Sequence, residues 1–161
     1  ELKGDVKRMI IESRGGWSET ALLLYLLRGL FTFTIYRYGS ILANNDAEKA
    51  IFEKSVQDKA RHLSYGLEHL RYAITRQDDK DLVFNNLLGI GERLVARECK
   101  EPIVLEPLAV IFGGGVEGAQ SGMETARRLM SDYVNLYLSS LRSIGIDRSD
   151  SLSDDLKSYL L

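Results

Sequence analysis

The sequence predicts an all-α fold, and three observations carry that reading. Apolar residues recur at steps of three and four along most of the chain. No strand-period run of useful length occurs, and there are only two prolines to interrupt a helix. At 161 residues the chain has the length of one domain with enough residues for a proper core, and its 45% apolar content is ordinary.

The elements follow in order. Residues 5–13 form a short piece patterned on Val6, Met9 and Ile10 and stopped by Arg14-Gly15-Gly16. Trp17-Ser18-Glu19-Thr20 opens a long segment running to about Ala43, with Ser18 as its N-cap. Asn44-Asn45-Asp46 breaks it, and Asp46 caps a helix over about 47–76. Phe52, Val56, Ala60, Leu63, Leu67, Leu70 and Ile74 give that helix a core-facing stripe. Gln77-Asp78-Asp79-Lys80 is a polar turn, and Asp81 starts a helix to about Glu98. Pro102 and Pro107 punctuate a short helix ending at Phe112. Gly113-Gly114-Gly115 then separates it from a last long helix of about 117–144, whose apolar face runs from Met123 through Met130 and Tyr137 to Ile144. The domain reading is a single bundle over 1–148, with a polar, Ser/Asp-rich tail over 149–161 whose Tyr159-Leu160-Leu161 is expected to dock back.

The run from Ala21 to Ala43 has the length of a membrane span. Arg28 and Arg37 fall inside it, and each would cost roughly 2.5–3.5 kcal/mol near a bilayer centre. A central helix buried on several sides accommodates the run better, with Arg37 beside Leu23, Leu26, Leu30 and Phe33 on a wheel and Arg28 opposite. Covering both faces of such a helix calls for a homo-oligomer, a partner protein, or bundle helices ahead of Glu1.

Composition excludes several function classes. A net charge of −2 supplies no field for nucleic acid, and Arg127-Arg128 is too small a basic patch. One cysteine, Cys99, excludes an internal disulfide framework, fits a reducing compartment and has no evident activating base nearby, so the expected location is cytoplasmic. Two histidines count against a zinc cage made by this chain alone. The first residues are polar, with no signal peptide, and the absent initiating Met points to processing or a boundary. Gly113-Gly114-Gly115-Val116-Glu117-Gly118 lacks the Lys-Ser/Thr of a phosphate loop and follows no strand, so it reads as a turn.

The block Asp58-Lys59-Ala60-Arg61-His62, running on to Leu67-Glu68-His69, carries the chemistry. Residues three apart share a helix face, so Lys59 and His62 reach one site. The block resembles the Glu-x-x-His helix of the ferritin-like dimetal-carboxylate superfamily, with Lys59 at the glutamate position. Leu27-Arg28-Gly29 stands where that family carries its lone Glu-Gly, and 137–148 is similar to its closing helix and turn. The likeness spans about 20–148 loosely and implies a ferritin-like helical bundle with additional C-terminal helices. It implies four carboxylates and two imidazoles around two metals, with Asp58 orienting His62 from behind.

The departures are systematic. Arg28 and Lys59 replace two carboxylates, and neither Glu12 nor Glu19 has a His three residues on. Cations at two ligand positions repel a metal pair. The expected centre is therefore degenerate, with no metal and no cofactor. Arg28 and Lys59 then form internal ion pairs or, with His62, bind an anionic small molecule; Asp58 and His69 lie along the same edge. A reactive Lys59 amine would need burial. The leading function is a metal-free assembly or ligand-binding role. The contrasting one is an iron or manganese oxidoreductase whose remaining ligands come from a partner chain or a missing segment.

Overall fold

Leu22–Leu27 is wound as a π-helix that runs unbroken into α1 (Arg28–Leu42). In the computed structural model, which describes residues 20–76 and 80–160, every regular element is helical. After α1 come α2 (Asp46–Arg76), α3 (Lys80–Lys100), α4 (Pro102–Phe112), α5 (Ala119–Ser143) and α6 (Asp154–Lys157). The piece expected over 5–13, the Ser18 cap, the turn at 77–79 and Leu161 lie outside the described residues.

The first helix is the centre of the packing. Its π segment touches α2, α3 and α5, whereas α1 proper packs mainly on α2 and α5. Burial follows those contacts. Leu22, Leu26, Leu27 and Leu30 are fully buried, but Arg37, Ile41 and Leu42 are exposed. The helix is thus apolar all round only where three neighbours surround it. Arg37 shares a wheel sector with buried leucines yet reaches solvent, because that sector loses its cover further along. Among the described residues no helix is long and apolar enough to cross a membrane.

The α2 stripe is shallower than its pattern suggests. Leu70 is buried, but Phe52, Val56, Leu63, Leu67 and Ile74 are half-buried and Ala60 is exposed. The cause is single-sided cover, since α2 packs principally along α1 and the π segment. The other long helix is better enclosed. Leu129, Tyr133, Tyr137 and Leu141 of α5 lose all exposure, and α4 lies closely against it. Tyr133 meets Phe31 edge-on at 5.6 Å and donates its hydroxyl to the Leu27 carbonyl at 3.2 Å, tying α5 to the end of the π segment.

Where α5 ends, the chain doubles back. Gly145, at φ 88°, donates to the Arg142 carbonyl, and Ile146 donates to the Leu141 carbonyl. This two-bond C-cap satisfies helix-end carbonyls and needs a residue tolerant of left-handed backbone. The reversal delivers Arg148 to Glu92 of α3. Arg148 donates through Nε to Glu92 Oε1 at 2.7 Å and through Nη2 to Oε2 at 2.9 Å. The Tyr137 hydroxyl and the Ser153 backbone N–H complete the set at 2.8 and 3.1 Å. Behind this cluster Leu152 and Leu156 enter the core, and Lys100 pairs with Asp155 at 2.6 Å. The segment after 148 is polar in composition, yet Leu152 and Leu156 are spaced four apart and bury together.

Burial, with Glu92 nearby, holds the Tyr133 and Tyr137 hydroxyls neutral well above the usual tyrosine range. The unfolded chain releases those protons at about pH 10. Their contribution to stability is therefore complete below that pH and is lost as pH rises beyond it. The thermal unfolding midpoint should hold level from neutral pH and fall once pH passes about 10; a midpoint indifferent to that titration contradicts the burial of these two hydroxyls.

Candidate functional site

Arg28 begins α1 at the point where the π segment ends, and its guanidinium pairs with the Glu98 carboxylate of α3. The pair is partly sheltered, with 35% of the arginine side chain and 12% of the glutamate exposed. Cys99, the next residue along, is fully buried. Burial, and then the charge of Glu98, pushes its thiol far above the ordinary cysteine range, against the opposing pull of Arg28. A thiol held neutral is a poor nucleophile.

Lys59 and His62 lie on a different side of the first helix. Both line a recess of about 220 Å³ with Leu24, Tyr25, Gly29 and Leu63. Tyr25 organises it: the His62 ring stands edge-on to it at 6.2 Å, and the Tyr65 ring does so at 6.1 Å. Close approach of α2 depends on Gly66, where a Cβ would collide with the Tyr25 side chain. Asp58 Oδ2 is 3.8 Å from His62 Nδ1, and both side chains are 52% exposed, so water screens the pair. Asp58 also comes within 3.4 Å of Arg61. His69 is half-buried two turns further on and is not among the residues lining this recess.

The structure therefore brings Lys59 and His62 together and gives Arg28 a separate partner. The reason is local. Successive helical residues point about 100° apart, so Gly29 lines the recess while Arg28 turns towards α3. Arg28 and Lys59, which the resemblance aligns with metal ligands, do not fit a dimetal centre. A guanidinium and an ammonium have no lone pair to offer, and among the described residues no three His, Cys, Asp or Glu side chains converge.

A second cavity, of about 310 Å³, opens between α1 and α5. Arg37 and Tyr38 from α1 face Arg128 and Asp132 from α5 across an apolar floor that includes Leu42 and Leu136. The Tyr38 hydroxyl donates to Asp132 Oδ2 at 2.7 Å. Partial burial and then that carboxylate push the tyrosine up to about 12, while both arginines pull the other way. Sequence reasoning missed this site, because Arg37 was placed among core leucines and Arg128 read as half of a small surface patch. The apposition of α1 and α5 has no local signal in the sequence.

No family model, curated protein or solved structure matches the chain.

The state of Cys99 can be checked directly. A thiol-specific aromatic disulfide added to the folded protein should react only as fast as the chain opens, with labelling accelerating in step with unfolding as denaturant is added. Rapid stoichiometric labelling without denaturant would show that Cys99 is accessible.

Proposed function

We propose that the chain is a ferritin-like bundle domain in which internal ion pairing has replaced the cation centre, and that it serves assembly or ligand binding rather than redox chemistry. The observation that carries this reading is the Arg28–Glu98 pair. At the position where the resemblance expects a metal-binding carboxylate, the chain supplies a guanidinium and engages it with a carboxylate from another helix. Lys59, at the second such position, faces the Tyr25 recess. Relative to two glutamates, the two substitutions raise the local charge by about four units, which opposes a pair of divalent ions. An assembly role draws support from α2, whose Ile51, Tyr65 and Tyr72 are 66%, 59% and 56% exposed.

Metal analysis of the full chain, purified without chelator, separates this role from the oxidoreductase alternative. The expected result is iron and manganese far below one equivalent per chain, unchanged in His62→Ala. Near-stoichiometric metal that disappears in His62→Ala would establish the oxidoreductase reading instead.

A further inference from the structure

We propose that the cleft between α1 and α5 is a binding site for a small amphiphilic monoanion, whose acidic head pairs with Arg37 and Arg128 and whose apolar body lies on Leu42 and Leu136.

The hydrogen-bond inventory selects the head group. The Thr34 and Thr125 hydroxyls, which also face the cleft, donate to the Leu30 and Ser121 carbonyls of their own helices. The Tyr38 hydroxyl is committed to Asp132. The side-chain donors left for a ligand are the two guanidiniums, and among the described residues neither has a carboxylate partner. Arg37 instead stands 5.8 Å over the Phe33 ring. A ligand held by donors alone must present acceptors, and a carboxylate matches the planar fork of a guanidinium.

Charge sets the valence of the ligand. Two arginines against the single carboxylate of Asp132 leave one positive charge in the lining, which one anion balances. Leu42 and Leu136 then favour an apolar body over a fully hydrated ion. A volume of about 310 Å³ lies at the small end for ligand pockets, so the body is short. The cleft gives the ligand-binding role proposed above a location. It rests on that reading only for the role, and metal bound elsewhere in the bundle would leave its geometry intact.

Titration calorimetry with octanoate, octanol and octylamine on the full chain tests the site. Octanoate should bind saturably, one per chain, with octanol at least about tenfold weaker and octylamine showing no binding. Arg37→Gln combined with Arg128→Gln should weaken octanoate by at least about tenfold at an unchanged thermal midpoint, since both side chains are exposed. Ile41→Asp provides an independent check. That side chain lines the cleft with 76% exposure, so the change leaves the fold and both arginines in place while adding a repelling charge. It should also weaken octanoate, and it decides the matter should the double variant fail to fold. Equal affinity for octanol, octanoate binding that ignores these substitutions, absence of saturable binding, or binding confined to anionic lipid vesicles would each overturn the proposal.

Discussion

A carboxylate inside a helical bundle must be met by donors and positive charge, because an unpaired buried ion carries a desolvation penalty of several kcal/mol. Glu92 is in that position, on α3 and with no exposed surface. Its two oxygens accept from two nitrogens of Arg148, from Tyr137 and from the Ser153 backbone. Those donors come from α5 and from the segment beyond it, so one side chain of α3 fixes both. The reversal at Gly145, the seating of Leu152 and Leu156, and the proximity of Tyr159 to Cys99 all follow from that attachment.

The same helix supplies a second sheltered acid, Glu98, which Arg28 engages from the start of α1. Glu92 and Glu98 of α3 are thus answered by arginines from opposite ends of the described chain. This internal neutralisation is why the functional reading turns away from bound cations. It also throws the α1–α5 cleft into relief, because there the balance is reversed: two guanidiniums line the cleft against a single carboxylate, which Tyr38 already engages.

Much of the fold was legible because its signals are local. The stripes on α2 and α5, the Asn44-Asn45 break, the two prolines and the Gly113–Gly115 turn placed the helix limits within a few residues of those observed. What stayed hidden depends on contacts between distant residues. Nothing near Glu92 announces a partner 56 positions away, and Leu152 and Leu156 are obscured by surrounding serines and aspartates. A wheel cannot show that α3 covers the π segment but leaves Arg37 in solvent. Arg28 and Lys59 stood out by their departure from a family pattern, and His62 by its match to it. The sequence could not reveal that one step of helix rotation separates Arg28 from the recess the other two share.

The central claim, that Glu92 is held in the interior by the charge of Arg148, is tested most directly by comparing Arg148→Met with the double substitution Glu92→Leu/Arg148→Met in denaturant unfolding. The single change strands a buried carboxylate and should lower stability by about 3–5 kcal/mol, whereas removing both charges should restore most of that loss. A single variant within about 0.5 kcal/mol of the parent, or a double variant as unstable as the single, would contradict the account.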